Sequence, residues 1–252
     1  MSIHAIDIQN VTVRFGQTVA LSNLSLSVKA GEVLGIIGPT AAGKTVLLKT
    51  LAGLYKPQTG SLFIDGNNIS GRDAHISDRI GMLFQQNALF DSMTNWENIA
   101  FRAINSGMPR EEARAQVAAL LPRVGLSESA GDLMPSDLSG GMQKRVGFAR
   151  AIFSKPDFLL LDNPTAGLDP ILAARIEKMI QSMARESGAT VLSVTGNMTH
   201  IHEAYDVVAV LHDGVLRWQG PAEEAHSNNN PYLRQLIEGR RDGPIQANKS
   251  VA

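Results

Sequence analysis

The chain has 252 residues, 44% of them apolar and 19% charged, with a formal charge of −1 and no cysteine. That length accommodates one large α/β domain, or a core with a subdomain. The near-zero charge argues against non-specific nucleic-acid binding, the missing cysteines exclude disulfides and thiolate metal sites, and no apolar run approaches the ~18 residues needed to span a bilayer.

In chain order, Met1–Asp7 carries neither a basic n-region nor an apolar h-region, so no signal peptide is expected and a role at a membrane would need another chain to hold this one there. Alternation at Ile6–Ile8, Val11–Val13 and Leu24–Val28 predicts antiparallel strands with one buried face. The apolar run Val33–Ile37 is a strand, and it leads into Gly38-Pro39-Thr40-Ala41-Ala42-Gly43-Lys44-Thr45 and then the helix-prone stretch Val46–Leu51. A strand, a glycine loop and a helix N-terminus are the context a phosphate loop needs, because loop N–H groups and the helix dipole then favour the same anion. Lys44 would reach the β- and γ-phosphates of a nucleoside triphosphate and the Thr45 hydroxyl would ligate Mg²⁺.

Further strands are predicted at Leu62–Gly66 and Ile80–Phe84. From about Asn95 to Pro135 the pattern is helical, with Pro109 as a start signal for the stretch from Glu111 to Leu121. Strands return at Phe158–Asp162, Thr190–Val194 and Val207–Leu211, separated by a helix from about Ile171 to Ser187. Their uniformly apolar composition suits strands covered on both faces. A short helix near Tyr232–Gly239 closes the domain, and residues 240–252 read as a flexible tail.

Three sites within this pattern carry chemistry. Asp162 ends a buried strand, where a carboxylate can hold the Mg²⁺ shell, although any parallel strand can end in Asp. Gln85 follows its strand and either ligates the metal or is a solvated strand-end amide. Leu138-Ser139-Gly140-Gly141-Met142 precedes an amphipathic stretch, which makes it a second anion site at a helix N-terminus or a simple helix cap.

Taken in order, the phosphate loop, Gln85, Leu138–Met142, Phe158–Asp162 and Ala166-Gly167-Leu168-Asp169-Pro170 resemble the nucleotide-binding subunit of an ATP-binding cassette (ABC) transporter over roughly residues 6–225. The resemblance implies an α/β fold: a P-loop NTPase core, an N-terminal antiparallel β subdomain and a helical subdomain inserted near residues 90–150, all within a domain of residues 1–239. It implies ATP and Mg²⁺ as cofactors, bound by Phe15 (stacked on adenine), Gly38, Pro39, Thr40, Ala41, Ala42, Gly43, Lys44, Thr45 and Val46, with Thr45, Gln85 and Asp162 on the metal. Two cassettes would pack head to tail, so that Ser139, Gly140, Gly141 and Met142 contact the partner's nucleotide. The segments Met82–Asn98 and Leu133–Val146 and the late Asp242–Ile245 are similar to ATPases of phospholipid-trafficking (Mla-type) systems. That similarity implies an integral membrane permease, an MCE-type lipid-binding protein, no nucleic acid, and a place on the cytoplasmic face of the inner membrane.

The sequence departs from the family pattern twice. The position after Asp162, where the family carries the Glu that polarises the attacking water, is Asn163; the position of the family's later His is Gly196. Nucleotide and Mg²⁺ binding should survive these changes while turnover at this chain's own site slows, since general-base assistance is worth about 10²–10⁴-fold. His200 and His202, the candidates to replace that His, are expected to face solvent. The leading expectation is an energy-coupling ATPase of a lipid transporter, in a homodimer or beside an active partner. Phe90, Met93, Trp96 and Phe101 are candidates for permease docking or for burial within the helical subdomain. The alternatives are a non-hydrolysing ATP-gated module, and a soluble cassette acting on ribosomes or DNA, which the neutral charge disfavours.

Overall fold

The computed structural model describes residues 4–70, 74–85, 88–196, 198 and 201–246. In chain order the elements are β1 (His4–Phe15), β2 (Thr18–Lys29), β3 (Val33–Ile37), α1 (Lys44–Leu51), β4 (Thr59–Ile64), β5 (Asn67–Asn68), α2 (Ala74–Arg79), β6 (Ile80–Leu83), α3 (Asn95–Asn105), α4 (Arg110–Leu120), α5 (Gly140–Phe153), β7 (Phe158–Asp162), α6 (Pro170–Ser187), β8 (Thr190–Val194), α7 (Ile201–Ala204), β9 (Val207–His212), β10 (Val215–Pro221) and α8 (Pro231–Glu238). They divide into two compact units, residues 1–73 with 192–252 and residues 74–191.

In the first unit, β1 pairs antiparallel with both β2 and β4, and β5 extends the sheet in the order β2-β1-β4-β5. Ile6 sits opposite Val28 and Ile8 opposite Leu26, and all four are buried, so the period-2 alternation does select one inward face. β3 pairs parallel with β9, and β10 returns antiparallel along β9. Every residue of β3 is buried, as its apolar run predicts. Close packing explains Gly35: a Cβ there would stand 2.8 Å from the Tyr205 ring.

β10 has no sequence signature of its own, because its residues from Val215 to Gly220 are all half-buried and carry no clean alternation. The signal that marks it is the Asp213-Gly214 pair, both with positive φ (49° and 71°), the residues a two-residue hairpin turn demands. Of the tail expected from residue 240, residues 247–252 lie outside the described residues; at its start Gln235 Nε2 donates to the Ile245 carbonyl and Ile245 N–H donates back to Gln235 Oε1, each at 2.8 Å.

In the second unit, β6 and β7 pair parallel and α3 packs against both α4 and α5. Helix starts follow their sequence signals. Thr94 and Glu97 form a capping box at α3, Pro109 caps α4, and Asp169 accepts from Leu172 N–H at α6. Burial of Ile99, Ala100, Val117, Val146 and Phe148 supplies the apolar interior, each large side chain worth about 1.5–3 kcal/mol over leaving it exposed. Gly81 of β6 lets α5 approach, since a Cβ there would meet the Ala151 carbonyl at 2.1 Å. This unit carries β6, β7 and α6 as well as the helices expected as an insertion near residues 90–150.

Candidate nucleotide site

The predicted site residues divide between the two units. In the first, the strand β3 ends at Ile37 and the loop Gly38–Gly43 leads into α1. Gly38 has φ +154° and Gly43 φ +98°, and a Cβ at either would collide with backbone: Leu211 O at 2.1 Å and Ala20 O at 2.5 Å. The loop is therefore a cradle only glycine can line at these two points. Ala41 adopts φ +63° without being glycine. Ala42 is buried, its N–H donates to the Pro39 carbonyl at 3.3 Å, and its carbonyl accepts from Gly214 N–H at 3.0 Å. The β9–β10 turn thus props the loop from below.

The Lys44 ammonium donates to the carbonyls of Gly38 and Pro39, at 2.8 and 2.7 Å. It spans the loop's mouth on two neutral acceptors, either of which a phosphate oxygen can replace with a stronger, charge-assisted bond. Helix α1 has Gly43 as its N-cap, no side-chain cap bond and no acidic residue in its first turn. No carboxylate of its own first turn opposes its dipole. Val46 lies in the first turn and its carbonyl accepts from Thr50 Oγ1 at 2.7 Å; Thr40 is exposed and Thr45 half-buried. Phe15 is 46% exposed and meets Tyr55 edge-on, with ring centres 4.9 Å apart at 74°. The open face of Phe15 is what a base-stacking role requires. Gly196 is exposed, directly after Thr195, whose N–H donates to Ile36 O at 3.1 Å. His202 meets His226 edge-on with ring centres 5.6 Å apart; His200, the other substitute weighed, lies outside the described residues.

In the second unit, Asp162 ends β7 and is buried. Asn163 follows with φ +54°, a left-handed conformation that Asn tolerates better than most residues, and its Nδ2 donates to Asp162 Oδ1 at 3.2 Å. The amide is turned onto the carboxylate beside it. Gln85 is exposed in the turn after β6, while its neighbours Gln86 and Asn87 lie outside the described residues. Ser139 is the N-cap of α5, its Oγ accepting from Met142 N–H at 3.3 Å. Gly140 is exposed with open space where a Cβ would be, and a Cβ at Gly141 would lie 3.3 Å from Leu168. Ser139 is therefore a cap, and the N-terminus it caps is open to an anion.

Two positions in this unit were not foreseen. The Lys144 ammonium donates to the carbonyls of Asn163 (3.3 Å) and Ala166 (2.5 Å); burial pushes it below the ordinary lysine range and the Asp162 carboxylate pulls it partly back. Asn98 is fully buried: its Oδ1 accepts from Phe90 N–H, and its Nδ2 donates to the carbonyls of Phe90, Met93 and Thr94, all within 3.1 Å. Neither residue has a sequence signal, because the partners are backbone groups. Asn98 thereby holds the backbone beside two of the docking candidates, Phe90 and Met93. Phe90 stands 42% exposed against Phe101, whereas Trp96 is covered by the guanidinium groups of Arg110 and Arg114, 4.9 and 5.9 Å from its ring centre.

The donors present fit MgATP. A glycine-lined loop with a lysine across it suits phosphates. Among the described residues no group of three or more acidic, His or Cys side chains could hold a metal alone, and Mg²⁺ characteristically takes one or two carboxylates plus substrate phosphates.

A model of the ABC transporter family matches residues 21–166. The chain is 38% identical over 238 residues to the methionine import ATP-binding protein MetN of Brucella abortus, an alignment spanning 92% of this chain and 64% of MetN, so it spans less than two thirds of that relative. It is 37% identical to the chloroplastic protein TRIGALACTOSYLDIACYLGLYCEROL 3 of Arabidopsis thaliana, over 96% of this chain and 75% of that one. The fold is similar to the ATP-binding cassette MJ0796, solved as a dimer in a post-hydrolysis state bound to ADP and Pi: TM-score 0.81, 30% identity, covering 86% of this chain and 98% of that structure. The cassette fold, mixed α/β with an antiparallel β subdomain and a helical insert, is shared with it.

Proposed function

The chain belongs to the ABC transporter family, and on that premise we propose that it is the ATP-binding subunit that couples nucleotide binding and hydrolysis to lipid movement by a partner permease, with slow turnover at its own site. The observation that carries the nucleotide reading is the phosphate loop, where Gly38 and Gly43 leave room that any side chain would fill and Lys44 lies across two exchangeable carbonyls. Lys44 transfers its ammonium to β- and γ-phosphate oxygens, and the face of Phe15 takes the adenine. Thr45, Gln85 and Asp162 are the residues that would hold Mg²⁺, which when bound would neutralise charge on the transferring phosphoryl group. Ser139, Gly140, Gly141 and Met142 serve the nucleotide of a second cassette, as head-to-tail pairing requires; the dimeric MJ0796 structure supports a pair of cassettes.

Slow turnover follows from what stands beside Asp162. Asn163 donates its amide to that carboxylate, so its N–H₂ is turned inward, and an amide removes no proton from water. Gly196 has no side chain to brace an attacking geometry. A second reading, a cassette that closes on ATP without hydrolysing it, draws on the same bond.

The lipid reading rests on the Mla-type motifs, with an MCE-type protein as a further partner, and on a relative named for a galactolipid. MetN, named for methionine import, shows that cargo varies within the family. No helix among the described residues is long and apolar enough to cross a membrane, which is consistent with attachment through the permease at the inner face of the cell membrane. The test is to titrate the purified chain with a fluorescent ATP analogue and Mg²⁺, then to isolate the native complex and identify its subunits and bound molecules by mass spectrometry. Saturable Mg²⁺-dependent binding, with a permease and phospholipid recovered, is expected. No nucleotide binding overturns the cassette reading; an amino acid in place of lipid overturns the cargo.

A further inference from the structure

Helix α5 touches the loop that follows Asp162 at two points. At its first turn, Gly141 packs against Leu168 closely enough that a Cβ would stand 3.3 Å from the leucine side chain. One turn further on, Lys144 reaches over to the carbonyls of Asn163 and Ala166. The loop between them is a tight one: Ala166 N–H donates to Asn163 O, Leu168 N–H donates to Thr165 O, and both Asn163 and Gly167 have positive φ (54° and 78°). The left-handed conformation at Asn163 is costly to hold and persists where its surroundings fix it, whereas Gly167 adopts its own freely. An ammonium shared between the first and fourth carbonyls of the turn is such a fixture, because charge-assisted bonds are about twice as strong as neutral ones.

Lys144 is part-buried, and burial already disfavours its charge. Retaining a lysine there costs desolvation, which the two carbonyls and the nearby Asp162 offset. Simple solvation of a helix face would leave the side chain extended into water.

We propose that Lys144 is a positioning residue that clamps the loop behind Asp162 to the helix capped by Ser139. The inference rests on the cassette reading and deepens it. An anion at the α5 N-terminus and the chemistry beside Asp162 are then linked within one chain through the Lys144 side chain, so closure on the partner's nucleotide sets the shape of this chain's own loop. Gly141, by its contact with Leu168, works in the same linkage.

The experiment compares Lys144→Met, which keeps the length and removes the donors, with Lys144→Arg, which keeps charge and donors. Amide hydrogen exchange is followed in the 163–169 segment and, as an internal control, in the phosphate loop. Phosphate release by the purified assembly is measured against ATP concentration. Lys144→Met is expected to speed exchange at 163–169 about tenfold with the phosphate loop unchanged, and to lower kcat about tenfold with KM within twofold. Lys144→Arg is expected to restore at least half of each. Unchanged exchange in Lys144→Met, a rise in KM with kcat intact, or failure of arginine to restore overturns the proposal. If Lys144→Met does not fold, Lys144→Gln, which retains neutral N–H donors, replaces it and is expected to fall between Met and Arg. A wild-type chain that binds no MgATP overturns the cassette reading instead, and the exchange comparison still decides the clamp.

Discussion

The side-chain amide of Asn163 donates to the carboxylate of Asp162 at 3.2 Å. A carboxylate at position 163 could not make that bond and would repel Asp162, so the pair is matched to its present residues. Replacing the amide therefore changes two things at once: it supplies a base and frees an oxygen of Asp162.

For that reason Asn163→Glu combined with Gly196→His is expected to raise phosphate release by about 10²-fold, within the usual range of general-base assistance. Room exists at Gly196, where an added Cβ meets nothing within 4 Å. Glu at 163 must also adopt the left-handed conformation, costing about 1 kcal/mol of stability. Steady-state ATPase beside nucleotide affinity checks this; unchanged turnover with affinity intact shows that other positions limit hydrolysis.

In the phosphate loop, Gly38→Ala and Gly43→Ala should each abolish MgATP binding, since the new methyl meets carbonyl oxygens at 2.1 and 2.5 Å. Ala41→Gly has the opposite sign. It relieves a left-handed alanine worth about 1–2 kcal/mol and loses about 0.4–1 kcal/mol through the freer unfolded chain, a net gain of about 0.5 kcal/mol. Urea unfolding measures it.

Asn98→Ala is expected to destabilise by about 2–3 kcal/mol, because one donor and three acceptors of the Phe90–Thr94 backbone lose their partner. The loop presenting Phe90 should loosen with it. Loss of permease association beyond what Phe90→Ala causes would show that loop shape, and not the ring alone, makes the contact.

Glu97 supplies an acid-sensitive element. Its hydrogen bond from Arg110, then those from Thr94, hold its carboxyl below the ordinary value of 4.5. A depressed folded pKa means the stabilisation is fully present above about pH 4.5 and is lost as pH falls through the lower folded value. The start of α3 should therefore fray only in strongly acid solution, and Glu97→Gln should flatten that limb of the pH–stability curve. Circular dichroism between pH 2 and 6 follows it.

Much of this protein was legible before any coordinates. The phosphate loop, the apolar strand before it and the helix after it are contiguous, and their hydrogen bonds run between residues a few positions apart. The Ser139, Asp169 and Thr94 caps are local in the same way. Strand β10 is hard to read in the sequence because half-buried residues blur the alternation, and the Asp213-Gly214 turn is its one local mark.

What the tertiary structure alone decided is the use of groups that every residue possesses. Lys144 finds carbonyls 19 and 22 residues away, Asn98 grips the backbone of its own approach loop, and Gly214 supports Ala42 from the end of the neighbouring strand. Such bonds leave no mark in a sequence, because a carbonyl or N–H has no residue type. Only folding decides which backbone groups come within 3 Å of a given side chain, and so which surface residue becomes a clamp.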